Sequence, residues 1–191
     1  MAVKIDRKLN LVVPIESDGK IIYVHSMPVS KQVFESNFLV MAKTFSRIHS
    51  EGLGAIGGPR IAAFMLKQVA TDMGEEAAEA VEKGLMNEIR RLTNVVMIGA
   101  SGWETVPFVE AVAKKLISEE DVAEVENAMV FFTVASAMYR REQRQVMLTG
   151  AARLWGAQIE SLNCTEFATS LRTLTQVESS GAKKVASSLP P

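Results

Sequence analysis

Few residues of this chain are of the types that perform catalysis or bind metals. The sequence has two histidines, His25 and His49, and one cysteine, Cys164. None of them occurs in the paired spacing of a metal site. A nucleophilic cysteine needs a base and an oxyanion pocket, and the sequence around Cys164 indicates neither. We therefore expect no catalytic residue, no metal and no cofactor, and we expect that the protein is not an enzyme.

A glycine-rich run from Gly52 to Arg60 contains the pattern GxGxxG. In dinucleotide-binding proteins this pattern follows a strand and delivers a phosphate group to a helix N-terminus. Here the preceding residues have the apolar period of a helix, so we interpret the run as a joint between two helices. Pro59 is then suited to the first position of the second helix. An enzyme that binds a nucleotide at this loop is the alternative.

Two acids, Glu124 and Glu126, precede the apolar part of a long predicted helix. Residues two apart on a helix point to different faces, so these acids are poor candidates for joint acid–base catalysis. We predict instead that Glu126 and its neighbour Asn127 form hydrogen bonds at the edge of the core.

The composition is typical of one intracellular domain. The chain has 191 residues, of which 48% are hydrophobic, and a net charge of −1. This charge favours neither nucleic acid nor an acidic membrane as a partner. A single cysteine cannot form an intramolecular disulfide and suits a reducing compartment. No signal peptide is indicated, and the longest apolar run is shorter than the roughly 20 residues of a membrane span.

The helix predicted from Ser118 to Arg140 organises the rest of the chain. Ser118 is followed by three acids, which is typical of a helix start. The second half of the helix is apolar or small on every face, so it must be enclosed by its own fold or by another chain. We single out Met129, Phe132 and Met138 as candidate partner-binding residues, with burial inside the monomer as the alternative.

The other elements follow from turn signals and periodicity. Asp18-Gly19 lies between two apolar runs and predicts a β-hairpin of residues 9–15 and 20–25. A second pair of strands is indicated at residues 95–98 and 103–106. Apolar residues at helical spacing predict further helices over residues 33–48, 61–73, 75–91, 108–116, 142–156 and 158–174.

Together these elements predict an α+β protein that is predominantly α-helical, a helical bundle with an N-terminal β-hairpin. This domain would occupy residues 1–175. Residues 176–191 are rich in Glu, Ser, Gly, Ala and Lys and end in two prolines. Because such a segment has too little apolar surface to fold alone, we predict a disordered C-terminal tail.

Three stretches carry a family resemblance. The first is VHSMPVS at residues 24–30, which leads from the hairpin into the helix over residues 33–48. The second is VENAMVFFTVASAMY at residues 125–139, and the third is WGAQIESLNCTEF at residues 155–167. With these features the chain resembles the tail assembly chaperones of long-tailed bacteriophages, the class that contains the lambda G protein. Residues 52–101 have no counterpart in the family.

The resemblance implies an assembly factor that is absent from the finished virion. Such a chaperone binds the tape measure protein and recruits tail tube subunits during tail morphogenesis in the host cell cytoplasm. Family members are expected to self-associate, so a homo-oligomer is a further expectation. The alternative is a structural component of the phage tail or of the head-to-tail connection, in which the hairpin would join a ring of subunits.

Overall fold

The structure is a computed structural model, and it describes residues 2–5, 11–17, 20–52, 57–99, 102–138 and 158–161. The chain is of the α+β class, with one sheet and a layer of helices. The sheet has six strands in the order β5-β4-β3-β2-β1-β6. Neighbouring strands are antiparallel except β1 and β6, which are parallel. The strands are β1 (Ala2–Ile5), β2 (Leu11–Ser17), β3 (Lys20–Ser26), β4 (Thr93–Gly99), β5 (Gly102–Pro107) and β6 (Gln158–Ser161).

The helices lie between and after these strands in the chain. One of them contains a π-helical segment, here named π1, between two α-helical parts. The helical elements are α1 (Lys31–Ser50), α2 (Gly58–Asp72), α3 (Glu75–Ala80), π1 (Val81–Met86), α4 (Asn87–Arg91), α5 (Phe108–Ala113) and α6 (Glu119–Met138).

The prediction of a helical bundle with an N-terminal hairpin is wrong. The hairpin exists, since β2 pairs with β3 from Leu11↔Ser26 to Ser17↔Lys20. However, β3 also pairs with β4, and the predicted second hairpin of β4 and β5 therefore extends the same sheet. Turn residues signal each hairpin locally, whereas the pairing of β3 with β4 joins residues about seventy positions apart, as in Tyr23↔Val96.

A second correction concerns the C-terminal part. Residues 158–161, predicted to begin a helix, form strand β6 and pair in parallel with β1. The predicted helix over residues 142–156 and the predicted tail over residues 176–191 lie outside the described residues. The proposed domain boundary at residue 175 lies outside them as well.

The helices pack against one face of the sheet. Alternate apolar residues of β2 and β3 point to this face and are 5% exposed or less. They form one apolar core with residues of the helices, including Met41, Leu66, Leu85 and Met129. The sheet residues of this core are Leu11, Val13, Ile15, Ile22 and Val24.

Two predicted helix starts are confirmed by their capping hydrogen bonds. The backbone N–H of Val33 donates to Ser30 Oγ at 3.3 Å, so Ser30 is the N-cap of α1. At α6 the cap is reciprocal, because Asp121 N–H donates to Ser118 Oγ and Ser118 N–H donates to Asp121 Oδ2, each at 3.0 Å. This arrangement is a capping box, which satisfies two backbone donors at once.

The end of α5 offers a test of local backbone energetics. Leu116 N–H donates to the Ala111 carbonyl at 2.9 Å and Lys115 N–H to the Val112 carbonyl at 3.0 Å, a Schellman motif. Lys115 has a φ of 52°, the left-handed conformation that glycine adopts without strain. We expect Lys115→Gly to raise the free energy of unfolding by about 0.5–1 kcal/mol in urea denaturation.

The neighbouring lysine provides the control for this substitution. Lys114 has a φ of −87°, a conformation that any residue adopts easily. Lys114→Gly should therefore lower the stability, because it adds freedom to the unfolded chain and removes the exposed ion pair of Lys114 with Glu110. Equal effects of the two substitutions would contradict this account of the motif.

Candidate functional site

The candidate partner-binding residues lie on α6, and two of them are buried. Met129 is 2% exposed and Phe132 is 3% exposed, and both belong to the apolar core. Met138 is the last residue of α6, and its side chain lies outside the described residues. A partner would reach Met129 or Phe132 only if α6 moved away from its neighbours, so their role in binding stays a prediction.

Of the other residues considered for chemistry, the two histidines lie in different elements. His25 lies in β3, whereas His49 lies at the end of α1 and stacks on Phe45 with the ring centroids 4.1 Å apart. Cys164 lies outside the described residues. In the part of the chain that the structure describes, no three His, Cys, Asp or Glu side chains are close enough to hold a metal ion.

The glycine-rich run joins two helices, as predicted. It follows α1 and leads into α2, whose second residue is Pro59. Residues 53–56 of the run lie outside the described residues. Because a helix precedes the run, the strand that a dinucleotide-binding loop requires is replaced by a helix.

Four charged side chains from four helical segments form a closed cycle, here named the charge ring: Lys67 of α2, Glu82 of π1, Arg90 of α4 and Glu126 of α6. Arg90 Nη1 lies 2.6 Å from Glu82 Oε1, and Arg90 Nε lies 2.7 Å from Glu126 Oε1. Lys67 Nζ lies 3.7 Å from Glu82 Oε2 and 3.9 Å from Glu126 Oε2. Each acid therefore contacts both cations, and the formal charges cancel.

The inner half of the charge ring is the pair of Arg90 and Glu126. Their side chains are 22% and 16% exposed, whereas those of Lys67 and Glu82 are each 47% exposed. Burial by itself would raise the pKa of Glu82, but the hydrogen bonds and charges of Arg90 and Lys67 together outweigh burial and lower this pKa below its ordinary value. Burial would likewise lower the pKa of Arg90, but hydrogen bonds to Glu126 and Glu82 raise it.

Asn127, next to Glu126, links α6 to the backbone of α2. The backbone N–H of Ala63 donates to Asn127 Oδ1 at 2.9 Å, and Asn127 Nδ2 donates to the Ala123 carbonyl at 2.9 Å. The prediction that Glu126 and Asn127 form hydrogen bonds at the edge of the core is confirmed. Ala62 and Ala128 are fully buried, and such small side chains allow helices to approach closely.

Glu124 and Glu126 have different surroundings, in agreement with their spacing of two. Glu126 joins the charge ring, whereas Glu124 is half-buried and interacts electrostatically with Arg60. Burial raises the pKa of Glu124, and the charge of Arg60 opposes this increase. The two acids therefore do not form a joint acid–base pair.

The charge ring could not be predicted from the spacing of its residues in the sequence. Its members lie on separate helical segments, and only Glu82 and Arg90 are near each other in the sequence, at a spacing of eight. Pairs on one helix are recognised at spacings of three or four. Chemically, the ring consists of ionised and mutually paired groups, so it can brace the helices against one another.

Several large apolar side chains are exposed at the surface. On α1 and α2, Phe38, Leu39 and Phe64 are 46%, 58% and 65% exposed. The two helices pack against each other, and we name their three exposed residues the α1–α2 apolar surface. Another set follows β5 and comprises Val109, Val112 and Leu116, which are 57%, 38% and 43% exposed.

Comparisons of this chain with protein-family models, with curated proteins and with solved structures give no match. The resemblance to tail assembly chaperones thus stays a prediction from the sequence. Among the described residues, no helix combines the length and the apolar character needed to cross a membrane.

Proposed function

We propose that this protein is a phage tail assembly chaperone that acts by binding other proteins. We expect it to use no catalysis, no metal and no cofactor. It would hold the tape measure protein and recruit tail tube subunits in the host cell cytoplasm, with neither nucleic acid nor a membrane as a partner. The observation that carries the proposal is the packing of the segments that resemble the family. The hairpin leads through Ser30 into α1, and both α1 and β2 contact α6. Segments far apart in the sequence thus belong to one folded unit.

The α1–α2 apolar surface is the binding site that we propose for the tape measure protein. A long helical client presents apolar side chains along one face, and proteins bind such helices through exposed apolar side chains. The exposed residues of α1 belong to a segment that resembles the family, which favours this surface over the exposed residues after β5. Phe38 is also held in place by Phe34, with the ring centroids 6.0 Å apart.

The test is co-expression with the tape measure protein encoded in the same genome. We expect the tape measure protein to be insoluble alone and soluble in a complex with this chain. The triple variant Phe38→Ser, Leu39→Ser, Phe64→Ser should lose at least about 90% of the co-purified tape measure protein, because several apolar anchors are removed.

The matched control replaces the same number of exposed apolar residues elsewhere, by Val109→Ser, Val112→Ser and Leu116→Ser. This variant should retain binding, and both variants should unfold at temperatures close to that of the wild type. Failure of the wild-type chain to bind or solubilise the tape measure protein would refute the proposed function. Loss of binding in the control variant alone would move the binding site to the residues after β5.

A structural component of the phage tail is the second candidate, and the sheet favours it. In the part of the chain that the structure describes, β5 is an edge strand that pairs only with β4. An open edge can accept a strand from a neighbouring subunit in a ring. Mass spectrometry of purified virions distinguishes the candidates, because a structural component is retained in the virion and a chaperone is not.

A further inference from the structure

We infer that the charge ring and π1 form a conformational device, in which closure of the ring holds residues 81–86 in the π-helical register. When the ring opens, this segment can become α-helical. The inference goes beyond the proposed function and does not depend on it. It rests on the spacing of Glu82 and Arg90, on the burial of π1 and on the contacts of Glu126.

The first observation is that the short contact of Glu82 with Arg90 suits a π-helical turn. These residues are eight positions apart, and their side chains meet at 2.6 Å. In an uninterrupted α-helix, residues eight apart are separated by about 12 Å along the axis and about 80° around it. A π-helix has hydrogen bonds from i to i+5 and a wider turn, so that residues about eight or nine apart return to the same face.

The second observation is that the register of π1 determines which of its side chains are buried in the core. Val81, Leu85 and Met86 are 2%, 0% and 0% exposed, although Leu85 and Met86 are adjacent in the sequence. Conversion of π1 to an α-helix would rotate α4 relative to α3 by about 100°, the angle of one residue. That rotation would move Arg90 away from Glu126. The ring and the π-helical register therefore depend on each other.

The device also controls how firmly α6 is held. Without Arg90, Glu126 would keep, among the described residues, the ion pair with Lys67 at 3.9 Å while its side chain is 16% exposed. A mostly buried carboxylate with one weak ion pair to offset its lost hydration favours separation of α6 from α2 and α4. Met129 lies one helical turn after Glu126, so opening of the ring would loosen the part of α6 that carries Met129 and Phe132.

The test is amide hydrogen exchange of Leu85, Met86 and Asn87, followed by NMR. We expect Arg90→Met to accelerate exchange at these amides at least roughly tenfold, because two charge-assisted hydrogen bonds are lost. The control is Lys83→Met, which removes the exposed contact of Lys83 with Glu79 on the same helix. This control should leave the three amides unchanged.

Deletion of Gly84 distinguishes coupling between the charge ring and π1 from general destabilisation of the protein. Gly84 has open space around it, so its deletion is expected to convert π1 into an ordinary α-helical turn with both ends in place. In this background Arg90→Met should no longer accelerate exchange at the remaining residues of the turn. If Arg90→Met does not fold, Glu82→Gln opens the ring from its more exposed side and is measured in the same way. Unchanged exchange on opening of the ring, or equal acceleration with and without Gly84, would overturn the inference.

Discussion

Phe132→Ala is expected to lower the free energy of unfolding by about 3–5 kcal/mol. The side chain of Phe132 is 3% exposed and makes an edge-to-face contact with Phe131, with the ring centroids 5.6 Å apart. Its removal would lose the burial of an aromatic side chain and leave a cavity in a close-packed core. Urea denaturation followed by circular dichroism measures the effect.

Phe38→Ala is the control for Phe132→Ala, because Phe38 is 46% exposed and lies on a helix that also packs on the core. We expect this substitution to cost less than about 1 kcal/mol, as is usual for surface positions. An unchanged stability of Phe132→Ala would also be informative when combined with a loss of binding. If Phe132→Ala keeps full stability and loses the tape measure protein, Phe132 is a docking residue and not a core residue.

Arg90→Met is expected to cost about 2–3 kcal/mol of stability at neutral pH. Methionine keeps the apolar part of the side chain but leaves Glu82 and Glu126 without their shared guanidinium group. The loss exceeds that of a surface ion pair, because Arg90 and Glu126 are mostly shielded from water and Arg90 bridges two carboxylates. Equilibrium denaturation in urea measures this difference.

The neighbouring Arg91 provides a matched control. It contacts Glu88 three residues earlier in the same helix, and its side chain is 67% exposed. Arg91→Met should therefore cost no more than about 0.5 kcal/mol. Equal costs for the two arginines would show that the charge ring contributes no more than an ordinary surface pair.

The effect of Arg90→Met should also depend on pH. The pKa of Glu82 is lowered in the folded protein, so its ionic contribution is present above the ordinary carboxyl pKa and is lost as the pH falls through the lowered value. In Arg90→Met the part of that contribution made by Arg90 is already missing, whereas the ion pair of Glu82 with Lys67 remains. The stability difference between wild type and variant should thus shrink on acidification, and a difference independent of pH would contradict this account.

Local features could be predicted from the sequence because they depend on neighbouring residues. Ser30 and Ser118 cap α1 and α6 through bonds to residues three positions later. β2 and β3, which flank Asp18-Gly19 in the sequence, pair with each other as the predicted hairpin requires. The division of Glu124 and Glu126 between two faces also followed from helical geometry alone.

The size of the sheet could not be predicted in this way. Val12 and Val96 are 1% and 3% exposed, although their strand neighbours Leu11, Val13 and Val95 are buried as well. Strands that are apolar on both faces lack the alternation that reveals a sheet surface, and their short runs resemble segments of buried helices. The sequence analysis predicted strands at both runs but treated the hairpins as separate, and the pairing of β3 with β4 joins them into one sheet.

The sequence by itself determined where the hairpin and the first helical turns begin, and that α6 must be enclosed. Only the tertiary structure decided that Met129 and Phe132 pack in a core on one face of a six-stranded sheet. It also decided that Lys67, Glu82, Arg90 and Glu126 meet. The physical reason is that caps and turns are governed by contacts within a few residues, whereas strand order and ion pairs between helices arise from packing of distant segments.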